Sequence, residues 1–212
     1  MSSQPLHEIG PAGAGLEAAA LGFTLALTAS WIGQGALFWV GEEAAFAEEG
    51  APYPVGIAQY GLPLDRLIVV RAKKREDALW AAEQALAATG AIVICALGAR
   101  GKPLDLKASR RLLLFAERYR SHCLLLMPEQ GPSAAWTRWR IAPGESNAEA
   151  DELGPPAFRA ELTRNRAGPA GSSFTLDWNA HERRFAERGA LACDLSAAPQ
   201  HGSVDPRRAR AV

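Results

Sequence analysis

Cysteine is scarce in this chain. Cys95, Cys123 and Cys193 are the three in 212 residues, far apart and without metal-ligand spacing. An odd, sparse set argues against a disulfide framework and fits a reducing cytoplasm. Cys95 and Cys123 stand in apolar runs, where a free cysteine acts as a small hydrophobe. Net charge is also absent: 23 Lys and Arg balance 23 Asp and Glu. The molecule as a whole is therefore not drawn to nucleic acid or anionic membrane, and any such binding needs a local patch. No basic region followed by an apolar one opens the chain, so no signal peptide is expected. Leu16–Val40 is the closest approach to a membrane span. Glu17 and Gly33-Gln34-Gly35 divide it, leaving a helix shorter than the roughly 20 residues a bilayer requires. His7, His122, His181 and His201 are scattered, and neither Ser109 nor Ser121 sits in a glycine elbow. No nucleophile constellation and no metal site follow, and the chain is not expected to be an enzyme.

What is present is alternation of strand and helix. Leu6–Ile9 is expected as a first strand ending at the Gly10-Pro11 turn signal. Glu17 opens a helix to about Ile32, apolar nearly all round and so expected to be buried. Ala36–Val40 is a continuous apolar run suited to a central parallel strand. Ala44–Glu49 and Pro54–Tyr60 read as short helices, and Leu67–Val70 as the third strand. Arg75–Thr89 is an amphipathic helix with Ala78, Leu79, Trp80, Ala82 and Leu86 inward and Glu76, Asp77, Glu83 and Gln84 in water. Gly90 stops it. Ala91–Leu97 is the fourth strand. Asp105–Arg120 is a helix with Leu106, Leu112, Leu113 and Ala116 inward. His122–Met127 is the fifth strand. Together these predict an α/β fold, a parallel sheet with helices on both faces.

After Pro128 the pattern becomes alternating. Thr137, Trp139 and Ile141 face away from Trp136, Arg138 and Arg140. Phe158, Ala160 and Leu162 alternate with charged or polar neighbours, as do Phe174, Leu176 and Trp178. One-sided antiparallel strands are expected there, joined by an acidic connection at Glu145–Pro156. His181–Ala186 reads as a last helical turn. The expectation is a single domain over residues 1–196, with a parallel core at 6–128, an antiparallel extension at 135–178 and a disordered tail at 197–212. Trp31, Trp39, Trp80 and Trp139 lie on apolar faces. Trp136 and Trp178 are candidates for a partner surface.

The stretch from Leu6 to Ile32 carries the sharpest motif. Gly10 and Gly15 have the spacing of a phosphate-binding loop, strand to turn to helix. The loop needs lysine and then serine or threonine, but Leu16 and Glu17 stand there. Glu17 falls in the first helical turn, where its carboxylate satisfies the positive helix end. A like-charged phosphate about 4 Å away would be opposed by on the order of 4 kcal/mol at an effective dielectric near 20. The loop is degenerate: its backbone shape survives, its chemistry does not.

The order of these parts resembles the RecA recombinase core and, more closely, the ImuA family of RecA-like inducible mutagenesis proteins, in a wider group that includes the SulA division inhibitors. LHEIGPAGAG, GALFWVGEE, YGLPLDRLIVV, GKPLDLKASRRLLLFAERYRSHCLLL, TRWRIAP and FRAELTRNRAGPAGSSFTLDW carry the resemblance, over roughly Leu6 to Trp178. The leading segment of that family is nearly absent, which implies a shortened member or a truncated chain. The resemblance places a magnesium-positioning aspartate at the end of the fourth strand, where Cys95 and Ala96 stand instead. It places Glu42 where RecA-like ATPases keep a water-activating glutamate. Without lysine and magnesium that residue has nothing to activate, and a solvated acidic loop shared with Glu43 is expected. It places a short DNA-binding loop at Arg100 and Lys102, to which Trp136, Arg138 and Arg140 would add a patch for DNA or a partner.

The function implied by the resemblance is that of a non-catalytic, cofactor-free adaptor in DNA-damage-induced translesion synthesis, part of the SOS response. The partners implied are the polymerase-like ImuB protein and an error-prone C-family DNA polymerase, with the sliding clamp and single-stranded DNA nearby. Self-association is open, and no membrane is involved. The alternatives are a RecA-like DNA-dependent ATPase and a SulA-like inhibitor of a filament-forming partner.

Overall fold

A computed structural model describes residues 4–99, 104–128, 131–146 and 154–188. Arg100, Lys102, Cys193, His201 and the tail expected at 197–212 lie outside the described residues. The elements run β1 (Leu6–Pro11), α1 (Glu17–Trp31), β2 (Leu37–Glu42), α2 (Glu43–Glu49), α3 (Pro54–Gln59), β3 (Leu67–Ala72), α4 (Arg75–Leu86), β4 (Ile92–Ala96), α5 (Leu106–Tyr119), β5 (His122–Leu126), β6 (Thr137–Pro143), β7 (Ala157–Asn165), β8 (Ser172–Asn179) and β9 (Arg184–Glu187). The protein is α/β, with one large mixed sheet in the order β3-β2-β4-β5-β1-β6-β7-β8-β9. Pairing is parallel from β3 to β6 and antiparallel from β6 to β9.

The parallel strands sit where their composition sends them. Every residue of β4 and β5 is buried, as continuous apolar runs between two helical layers must be. Two apolar clusters result. One packs α1 with α2 and α3 against Leu37, Trp39, Ile92, Ile94, Leu124 and Leu126. The other packs α4 and α5 against Val40, Val93, Cys95, Cys123 and Leu125. Helix α1 tolerates burial of its two threonines because each hydroxyl donates back along the helix, Thr24 to the Ala20 carbonyl and Thr28 to the Thr24 carbonyl, both at 2.7 Å. Helix α5 starts at Asp105, whose carboxylate accepts from the Ala108 N–H at 2.6 Å, and stops at Arg120 in the left-handed region.

Several expectations are corrected. Strand β1 does not end at Gly10-Pro11 but runs through it. Pairing with β5 stops at Ile9, so Gly10 and Pro11 pair with β6 alone, and proline's missing N–H faces no neighbour there. Strand β6 is parallel to β1 and antiparallel to β7, so it is the switch strand and not simply part of an antiparallel extension. Residues 184–187 form β9 instead of a helical turn, because Phe185 is drawn onto Phe23 and Trp178 at ring distances of 5.3 and 5.1 Å. Trp80, expected inward, is 61% exposed, and Leu106 is exposed as well. Glu83, expected in water, is buried and pairs with Arg111 of α5 at 2.5 Å, tying the two helices of that layer together.

Gly35 and Gly90 meet at the start of β2. A Cβ on Gly35 would collide with the Gly90 carbonyl, and Gly90 itself has φ +73°. This close approach lets the chain enter β2 beside the loop that precedes β4.

Candidate functional site

The C-terminal ends of β1, β2 and β4 meet at one edge of the sheet, where open parallel sheets bind ligands. The β1–α1 turn is Ala12 to Leu16. Its first amide, Ala12 N–H, donates to the Ile141 carbonyl of β6 at 2.8 Å. Gly15 takes φ +79°, and its N–H donates to Glu17 Oε1 at 3.2 Å. The turn's own carboxylate thus occupies an amide that a phosphate would seek. Leu16 caps α1 with no side-chain hydrogen bond. Gly10 belongs to β1, opposite Arg140, and is not part of the loop.

Glu42 corrects the expectation of a solvated acid. It is buried at the end of β2 and paired with Arg75, the first residue of α4, Nη2 to Oε1 at 2.8 Å. The Gly98 N–H donates to the same oxygen at 2.7 Å, and Arg75 donates to the Gly98 carbonyl at 2.6 Å. Glu42 therefore clips together the ends of β2 and β4 and the start of α4. Only Glu43 beside it is exposed. The residues at the expected aspartate position bring no carboxylate. Burial, with Glu42 nearby, pushes the Cys95 thiol up to about 12, so it stays protonated and unreactive.

More carboxylates gather around this edge than sequence order suggested. The Ala99 N–H donates to Glu48 Oε2 at 3.2 Å. Burial raises the Glu49 carboxyl above its ordinary range, and Glu17 and Glu48 push it further. Glu17, Glu48 and Glu49 thus lie near one another at this edge. Among the described residues no group of three His, Cys, Asp or Glu is placed to hold a metal ion.

Of the expected DNA or partner patch, Trp136, Arg138 and Arg140 are among the described residues. Arg138 is committed to Glu8, Nε to Oε2 at 2.6 Å, and also donates to the Gly131 carbonyl. Glu8 is fully buried in the central strand, so this is an internal ion pair and not a surface cation. Arg140 is half-buried on β6, opposite Glu161. Trp136 is half-buried against the α4/α5 core cluster, and Trp178, offered as a partner surface, is only 2% exposed.

Two of the scattered histidines are brought together. Trp31, at the end of α1, lies 4.8 Å from the His7 ring and 5.4 Å from the His122 ring. His7 Nδ1 meets Thr137 Oγ1 and His7 Nε2 meets the Gln4 carbonyl, both at 2.7 Å. Burial lowers His7 to about 4 and lowers His122 as well. Both rings are neutral near pH 7 and act as packing and hydrogen-bonding groups at the opposite end of β1. Sequence spacing held no sign of this clamp, because 115 positions separate the two rings.

No family model matches the chain. It is similar to Protein ImuA from two strains of Caulobacter vibrioides, 35% identical to each over 151 residues. The match covers 65% of this chain and 58% of each relative, so the chain spans under two thirds of the curated relatives' length. Over the matched span, then, the chain is similar in sequence to Protein ImuA.

Proposed function

We propose that this chain is a non-catalytic, RecA-like adaptor in damage-induced translesion synthesis. The observation that carries the reading is the clasp of Glu17 on the Gly15 amide, in a turn with leucine where phosphate needs lysine. A core built this way has lost the cation, the hydroxyl and the distal acid, and it cannot be switched by hydrolysis. Its contacts are then constitutive, or governed by the supply of partner.

The sheet also offers somewhere to dock. Strand β3 is an edge with β2 as its neighbour, and Ile68 and Val69 on it are 47% and 45% exposed. An apolar edge strand is a template for a further strand. In this reading the chain acts in the cytoplasm beside ImuB and an error-prone C-family polymerase, with clamp and DNA nearby. The same open edge also suits a SulA-like cap on a filament-forming partner.

The test is a pull-down of the full chain with ImuB and the polymerase, beside a calorimetric titration with ATP and magnesium. Capture at micromolar concentration with no saturable nucleotide binding is expected. Saturable ATP binding with no capture of ImuB sinks the adaptor and leaves the DNA-dependent ATPase. Inhibition of a partner's polymerisation without polymerase recruitment favours the cap.

A further inference from the structure

A cavity of about 300 Å³ opens beside the first half of α1. Leu21, Trp39, Phe46, Ile57 and Tyr60 form its walls, and Glu49 stands among its lining. Small residues, Gly22 and Gly56 among them, line it as well. Gly22 lets the Tyr60 wall close onto α1, since a Cβ there would sit 2.6 Å from the Tyr60 hydroxyl. Gly56 leaves open space, since its Cβ would meet only Tyr53 Cδ1, at 3.6 Å. Protein interiors close voids of this kind, so an apolar hollow kept open at the surface marks a place for something else.

Size and charge narrow the occupant. About 300 Å³ is at the lower end of small-molecule sites. It suits one large side chain better than a nucleotide, whose phosphates the neighbouring acids would repel. Tyr53 and Val55 are exposed beside the hollow and extend its apolar surface outward, as the surround of an anchor residue does. The charge is negative: Glu49 lines the hollow, and Glu17 and Glu48 act on it electrostatically. Arg71, whose guanidinium lies 4.6 Å from the Phe46 ring, offsets part of this. We infer that the cavity is a socket for a basic segment of a partner protein, which inserts one large apolar side chain and sets flanking Lys or Arg against the acidic rim. The socket is distinct from the β3 edge and does not depend on which protein supplies the segment.

The test uses the full chain and a fluorescein-labelled heptapeptide with a central tryptophan flanked by two arginines on each side. Anisotropy should show saturable, salt-sensitive binding, and amide shifts in NMR should cluster around Ala18, Gly22 and Gly56. A glycine-centred version should not bind. Gly56→Leu fills the hollow and should weaken binding by about tenfold or more. Glu49→Gln should weaken it by about threefold. Thermal melting checks that both variants fold, and the shift map on the unaltered chain stands independently of them. Equal binding of the glycine-centred peptide, undiminished binding to a folded Gly56→Leu chain, shifts that cluster elsewhere, or no binding at all overturns the socket. Binding that appears only in the R207A/R208A/R210A chain overturns it too, because the chain's own arginines would then be the occupant.

Discussion

Acid should loosen this protein through His7, and the size of the effect follows from its burial. The ring is held neutral at about 4 against an ordinary 6.5. In the unfolded chain it takes a proton near 6.5, and in the folded chain it does not until near 4. The unfolded state thus binds more protons in that window, so stability is lost as pH falls through it. Each unit is about 1.4 kcal/mol, giving about 3 kcal/mol once pH is below both values and about 2 kcal/mol at about pH 5. His122 is lowered too and adds loss in the same direction. Glu49 is raised and works the opposite way, so the whole-protein slope mixes signs. His7→Gln separates them. Urea unfolding of both chains at about pH 7.5 and about pH 5 should show the parent losing about 2 kcal/mol more than the variant, or about 4–8 °C in Tm. Parallel losses would refute the reasoning and place His7 in contact with water.

Three further outcomes are expected. Arg138→Ala strands the fully buried Glu8 and should cost about 3–5 kcal/mol by denaturant unfolding, whereas Arg140→Ala should change stability by less than about 0.5 kcal/mol. Any test of DNA binding by this face is therefore cleaner at Arg140, read by electrophoretic mobility at two salt concentrations. Trp178→Ala should cost about 3–5 kcal/mol, while Trp80→Ser should be near neutral by thermal melting, because one ring is inside and the other outside. Gly35→Ala forces a methyl against the Gly90 carbonyl and should cost about 1–3 kcal/mol in a urea titration.

The sequence by itself determined the parallel core. Short apolar runs at Ile92–Ala96 and Cys123–Leu126, bounded by turn signals, fit doubly covered strands, and Glu17–Trp31 is apolar on too many sides to be a surface helix. It also determined the chemistry of the first turn, since leucine and glutamate in place of lysine and a hydroxyl are local facts. The alternation that marks the last strands was legible too, but not their partners. Nothing local says that Thr137–Pro143 lies parallel to Leu6–Pro11, because that pairing is between segments about 130 residues apart. Charge and aromatic roles were decided only by tertiary structure. Glu42, Glu83, Glu8 and Arg138 look like surface residues until the strands and helices that carry their partners converge. Trp178 and Trp80 exchange their expected places because a ring's burial depends on what packs over it: Phe185 covers the first, and the second points off α4. Local pattern sets which residues can be buried together, whereas the long-range fold sets which of them are.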